Sequence, residues 1–227
     1  MAGVSMTRGE VRRAARATLG DLIRHEPIGM ATPSTTQMTL GAFRDDIQSR
    51  AMPGCGAVAA NAAADGLALV LKGLRLTQSK DQDTRCARLI AQAQQLVTQL
   101  SGYADEDIAA FKAYLAAKKH ADENDADKRL DRAVERINQV PLETARCCLE
   151  PLEYTEQAMG DIKPALQSDA RAGARLVHAG LSMVLINVDT NIDGLEDEAE
   201  RRQLAGQRAA LQAEADRLLE RLLRARS

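Results

Sequence analysis

The sequence predicts an all-α protein: a bundle of long amphipathic helices around a central Ala-rich helix, with an extra N-terminal helix. Three observations carry that prediction. Aromatic residues make up only 2% of the chain, and strand-like runs of Val, Ile and Thr are absent. Apolar residues recur at three- and four-residue steps over long windows. Residues 52–77 form a nearly uncharged, Ala-rich segment opened by Pro53-Gly54-Cys55-Gly56, a turn leading into a helix. An apolar fraction of 45% over 227 residues supports a substantial core and excludes general disorder.

Charge bounds the function classes. The formal charge is −2, with acids and bases interspersed, so no basic footprint for nucleic acid stands out. No apolar run is expected to reach the roughly 20 residues that span a bilayer. Arg8, Arg12, Arg13 and Arg16 are accompanied by Glu10 and no apolar signal core. The expectation is a cytoplasmic protein with neither a membrane nor a nucleic acid as partner. Cys55, Cys86, Cys147 and Cys148 form no CxxC pair and have no ordered His spacing, which argues against a zinc site or a disulfide framework and for no metal.

Two regions are expected: 1–39, an N-terminal helix and a Pro/Thr-rich linker, and 40–227, the helical domain. Val11, Ala14, Leu19, Leu22 and Ile23 give residues 4–25 an apolar face, and Pro27, Gly29 and Pro33 mark the linker. Phe43 and Ile47, spaced i, i+4, are placed in the core by a short helix over 40–51. In the segment that follows, Gly54 and Gly56 allow positive φ and close approach of main-chain N–H groups. That suits either a plain helix-start turn or an anion cradle. Ala57, Ala59, Ala60 and Ala63 let neighbouring helices come close, and such a helix is expected to be buried all round. Asn61, Asp65 and Lys72 share one stripe of it, which reads either as a polar pocket or as a face reaching solvent or a subunit interface. Cys55 reads as a passive small side chain or as a thiol of lowered pKa at a helix N-terminus.

A long helix is predicted over 84–120. On it Asp107 lies inside the apolar stripe, with Tyr103 at i−4, Phe111 at i+4 and Tyr114 at i+7, three of the five aromatics in the chain. Desolvation by those rings raises a carboxyl pKa toward the range useful to a general acid or base. The other reading is a core cluster in which the Tyr103 hydroxyl satisfies Asp107. Residues 128–159 read as a helix bent or broken at Pro141 and Pro151. A helix over 165–187 carries His178 on a face with Ala174, Leu181 and Leu185, the pattern of a satisfied core histidine. Thr190, Asn191 and Asp193 are cap candidates for the last helix, whose Leu211, Ala215, Leu218 and Leu222, a heptad after Leu204, form a partial coiled-coil seam interrupted by Arg208.

Four blocks in order carry a family resemblance over roughly residues 40–227. Pro53-Gly54-Cys55-Gly56-Ala57-Val58-Ala59-Ala60 resembles the Gly-rich helix entrance of the cyclodeaminase/cyclohydrolase family, which includes the C-terminal domain of formiminotransferase-cyclodeaminase and bacterial methenyltetrahydrofolate cyclohydrolases. Asp105-Glu106-Asp107, Val140-Pro141-Leu142-Glu143, and Ser168-Asp169 followed by Val184-Leu185-Ile186-Asn187 are similar to its later blocks. The chain departs from the family at Cys55 (Gly), at Ala57 (Ser), in a shortened segment around Lys80, and at Asp65 and Lys72, where the family helix is apolar.

The resemblance implies a dimeric helical bundle with a folate pocket beside the Gly-rich turn. It also implies formiminotetrahydrofolate cyclodeaminase or methenyltetrahydrofolate cyclohydrolase chemistry, with a tetrahydrofolate derivative as substrate and no metal or redox cofactor. By the same correspondence Asp107 is the general acid/base, and Gly54, Cys55, Gly56, Tyr103, Phe111, Ser168 and Asp169 are the expected substrate contacts. Lys80 and Arg85 are available as cations for the glutamate tail. The alternative is a divergent member acting as a dimeric binding scaffold, either without catalysis or on another substrate.

Overall fold

A computed structural model describes residues 33–78, 84–119, 125–193, 195 and 197–224. The expected helix over 4–25 and the segment around Lys80 lie outside these residues. Among them the regular structure is entirely helical: α1 Leu40–Ser49, α2 Cys55–Thr77, α3 Thr84–Lys119, α4 Ala126–Ala158, α5 Gln167–Asp193 and α6 Glu198–Arg224, with three short 3-10 turns. The chain divides into two compact units, Met1–Pro53 and Gly54–Ser227, so α1 falls in the first of them.

In the first unit, Thr39 caps α1 by accepting from the Ala42 N–H at 3.1 Å. The helix buries no residue, and Ile47 is 38% exposed. This corrects the core positions expected for Phe43 and Ile47: the i, i+4 spacing is present, but α1 has no buried face.

The second unit is a four-helix bundle with a fifth helix on its flank. α2 packs on α5 and α3, α3 on α4, and α4 on α5, closing a ring, while α6 lies against α5 and α4. Successive helices run antiparallel. The start of α2 meets Asp107 late in α3, and its end meets α3 where Cys86 donates to the Leu74 carbonyl. Leu67, Val70, Leu74, Leu100, Leu152, Val177, Leu181 and Leu185 fill the centre.

The seam between α2 and α5 is a backbone-to-backbone contact. A Cβ on Gly173 would stand 2.2 Å from the Gly66 carbonyl oxygen, and one on Gly66 would stand 2.6 Å from that of Gly173. Small residues at these positions are a geometric requirement, since no side chain fits between the helices. α2 is not buried all round, however. Asp65, Ala68 and Lys72 are exposed, and Lys72 pairs with Asp169 of α5 at 2.6 Å, so the stripe reaches the surface and forms no polar pocket. By length and mean hydropathy (1.4) α2 is also apolar enough to cross a bilayer, contrary to the sequence expectation. In the structure 61% of that window is buried within the bundle.

α4 is continuous through both prolines, so of the bend or break expected at them the break does not occur. Pro141 brings no N–H to the Ile137 carbonyl one turn back, and the Asn191 side-chain amide of α5 donates to that carbonyl instead, at 3.2 Å. Asn191 and Thr190 therefore lie inside α5. The cap of α6 is Asp197, whose carboxylate accepts from the Ala199 and Glu200 N–H groups at 2.7 and 3.2 Å. Leu211, Ala215, Leu218 and Leu222 are buried as the seam predicted, and Arg208 leaves it to make a bidentate pair with Asp189.

The seam makes a paired prediction for chemical denaturation. Gly173→Ala drives a methyl into backbone and should cost about 3 kcal/mol. Gly206→Ala, on the exposed face of α6 with open space around its Cα, should gain up to about 1 kcal/mol from helix propensity.

Candidate functional site

The first turn of α2 presents backbone N–H groups with no intrahelical partner. Gly54, the N-cap residue, has φ −101° and ψ −164° and supplies no side-chain cap. Its backbone is extended, so the positive φ expected at this turn is not used. The cap comes from α3: Asp107 Oδ2 accepts from the Ala57 N–H at 3.0 Å. The cradle foreseen for a ligand anion thus holds the protein's own carboxylate.

Gly56 makes this possible. A Cβ there would lie 2.0 Å from Asp107 Oδ1 and 2.5 Å from its carboxyl carbon, so any larger residue displaces the carboxylate from the helix end. Two opposing effects set the acidity of Asp107. Burial raises its pKa above the ordinary carboxylate value, the Ala57 N–H lowers it, and burial is the larger. The outcome is the raised pKa anticipated from the sequence, but the aromatic explanation is incomplete. Among the described residues no hydrogen bond joins Tyr103 to Asp107. Tyr103 lies toward α4: after burial, Cys147 and Glu143 of α4 and then Glu106 of its own helix raise its pKa. Phe111 packs instead on Tyr114, with ring centroids 6.4 Å apart.

Cys55 adjoins the site. Its thiol donates to the Met183 carbonyl of α5 at 3.4 Å. Burial and then the Asp107 charge push its pKa up, the opposite direction from that of an activated thiolate at a helix N-terminus. Gly54, Cys55, Gly56 and Asp107 therefore converge, with Phe111 one turn further along α3. Ser168 and Asp169 do not join them. They open α5 at the other end of the bundle, where Asp169 pairs with Lys72; from Ala57 to Lys72 along α2 is about 22 Å.

His178 is neither in the core nor at this site. It joins α5 to α6, its Nε2 bonding Asp216 at 2.7 Å, while Gln212 bridges Asp216 and Ser182. One charged link was not foreseen. Arg136 of α4 joins Glu143 at 2.8 Å and also Glu106, tying the Val140–Glu143 block to the residue preceding Asp107. A signal existed in Glu143, but its partner lies seven residues earlier on the same helix and carries no motif. A groove of about 450 Å³ between α3 and α4, lined by Ala113, Ala116, Ala117, Ala133, Arg129, Arg132 and Arg136, does not include Asp107. Among the described residues no cluster of three metal-ligating side chains is present.

Together, fold and site define a class: a helical bundle that sets one half-buried carboxylate of raised pKa on the N-terminus of a glycine-opened helix. Comparison with known proteins agrees. Residues 39–210 match the family described as formiminotransferase-cyclodeaminase. The chain is 30% identical over 194 residues to the methenyltetrahydrofolate cyclohydrolase of Methylorubrum extorquens, covering 81% of this chain and 93% of that protein. It is 31% identical over 188 residues to the formimidoyltransferase-cyclodeaminase of Sus scrofa, covering 78% of this chain but 34% of that protein. The solved structure of the formiminotetrahydrofolate cyclodeaminase of Thermotoga maritima superposes with a TM-score of 0.72 at 22% identity, covering 82% of this chain and 94% of that one, which shows the shared fold. The chain belongs to the formiminotransferase-cyclodeaminase family.

The site carries its own stability test. A carboxyl whose pKa is raised by folding favours the folded state at low pH, and that contribution is lost as pH rises through the folded pKa. Asp107→Asn, which keeps an oxygen for the Ala57 N–H, should therefore raise Tm at pH 7, with the advantage shrinking as pH falls toward 4. Gly56→Ala should lower Tm at both pH values.

Proposed function

We propose that this chain hydrolyses 5,10-methenyltetrahydrofolate to formyltetrahydrofolate, with Asp107 as the single general acid and base. The observation that carries the reading is the Asp107 carboxyl, held by Oδ2 on the Ala57 N–H with Oδ1 over Gly56. The choice of hydrolysis over deamination is supported by the cyclohydrolase relative, nearly the whole of which is matched. Closure of formiminotetrahydrofolate with loss of ammonia is the related reaction the same group can serve.

The chemistry asks for one proton to be moved twice. Water adds to the carbon bridging N5 and N10, forming the C–O bond, and ionised Asp107 takes the proton that water gives up. The tetrahedral carbinol then collapses: the C–N5 bond breaks, Asp107 returns its proton to N5, and the remaining hydroxyl proton is released to solvent as the C=O bond forms, so the formyl group stays on N10 and hydrolysis of the methenyl cation releases one proton net. A carboxyl of ordinary pKa is a poor donor to an amine; the raised value at Asp107 brings it closer to the pH at which both steps run. The Ala57 N–H fixes one oxygen, so the proton travels on the other. Gly54, Cys55, Gly56 and Phe111 line the approach, and nothing in these steps calls on a metal.

We also propose that two copies associate through the outer face of α2 and α5. On these two helices Leu76 and Leu176 are exposed at 56% and 36% and Leu69 and Met183 are half-buried, apolar side chains that such an association would cover.

Two experiments test these readings. Purified wild-type protein should consume methenyltetrahydrofolate, read by its absorbance, with kcat/KM falling on the acid side through a pKa above the normal carboxylate range. Asp107→Asn should lose about 10²- to 10⁴-fold in kcat and that acid limb; a folded wild type inert toward methenyl- and formiminotetrahydrofolate would instead leave the scaffold. In sedimentation velocity the wild type should run as a dimer, and the Leu76→Glu/Leu176→Glu variant as a monomer.

A further inference from the structure

We infer that Lys118 is the specificity-determining cation for the acidic tail of the substrate; the assignment rests on the folate reading above. Asp107, Phe111, Tyr114 and Lys118 follow one another at i, i+4, i+7 and i+11 on α3, so they form a single stripe. α2 starts beside Asp107 and does not run along the rest of this stripe. Phe111, Tyr114 and Lys118 are all half-buried.

Side chains on a helix lean toward its N-terminus, and Lys118 does so. Its Nζ sits 5.2 Å from the centroid of the Tyr114 ring. The ammonium is thereby brought back to the level of Tyr114, seven residues or about 10 Å along the axis from Asp107. The ring holds the cation by its quadrupole and leaves the N–H donors free to point elsewhere. Three other cations are engaged in carboxylate pairs: Lys72 with Asp169, Arg85 with Asp161, Arg136 with Glu106 and Glu143, and Arg132 lies on the α3–α4 groove, whose lining includes none of the stripe residues. Lys118 has no carboxylate partner among the described residues.

The stripe therefore presents, in order, a proton-transfer carboxyl, two aromatic faces and a cation. A reduced folate presents a reacting carbon, a benzoyl ring and a glutamate carboxylate in the same order. The benzoyl ring and one amide bond span the stretch over Phe111 and Tyr114, and the carboxylate meets the Lys118 ammonium as a charge-assisted contact. Arg85, a cation candidate from the sequence, is on the opposite end of the bundle, paired across to Asp161 at 3.1 Å.

The test compares two substrates in the full chain: 5,10-methenyltetrahydrofolate and its analogue ending in the benzamide, which lacks the glutamate. With the folate, Lys118→Ala should raise KM about five- to tenfold and leave kcat nearly unchanged, and Lys118→Arg should restore most of the loss. With the analogue, wild type and Lys118→Ala should have the same KM. Equal KM increases on both substrates, or no increase on the folate, overturn the assignment while the folate reading stands. A folded wild type that turns over neither compound ends both.

Discussion

The structure turns on one interaction, the Asp107 carboxylate of α3 set on the open N-terminus of α2. A helix start that meets another helix inside a bundle leaves N–H groups short of partners, and a carboxylate inside a bundle is costly without donors. Each solves the problem of the other. The contact also sets the register of α2 against α3, because the helix end can meet only one residue of the facing stripe. Cys55, immediately before Gly56, is held by Met183 of α5, so the same turn is fixed against two neighbours.

The second constraint is the glycine seam. Gly66 and Gly173 bring the α2 and α5 backbones into contact, and once that crossing is set, everything on the two helices is ordered by it. Cys55 falls level with Met183, and Lys72 falls level with Asp169. The Asp107 end and the Ser168-Asp169 end are consequently separated by most of the length of α2. Two sequence blocks that a family resemblance sets side by side in importance are thereby kept apart within one chain.

Much of this was legible. The helix over 84–120 and the α6 seam were readable because their apolar spacing is regular and no proline intervenes. Asp107 was legible twice, from its place inside an apolar stripe and from the family block. Other readings failed because they needed a neighbour from another helix. Pro141 removes a donor within α4, a local fact, but Asn191 replaces it from α5. Tyr103 lies a turn from Asp107 in sequence, yet its surroundings belong to α4. Whether Asp65 and Lys72 face a pocket or solvent was not decided by the apolar residues around them; among the described residues of the second unit no helix lies over that side of α2.

The sequence by itself determined the helices, the glycines that let two of them touch, and the carboxylate that had to be buried, because periodicity, side-chain size and charge are properties of the local chain. Only the tertiary structure decided what completes Asp107. The Ala57 N–H and the space above Gly56 come from a helix fifty residues away in sequence. Their effect on the acidity of the carboxyl depends on which helix end meets which face, and that is set by the close packing of α2 on its neighbours.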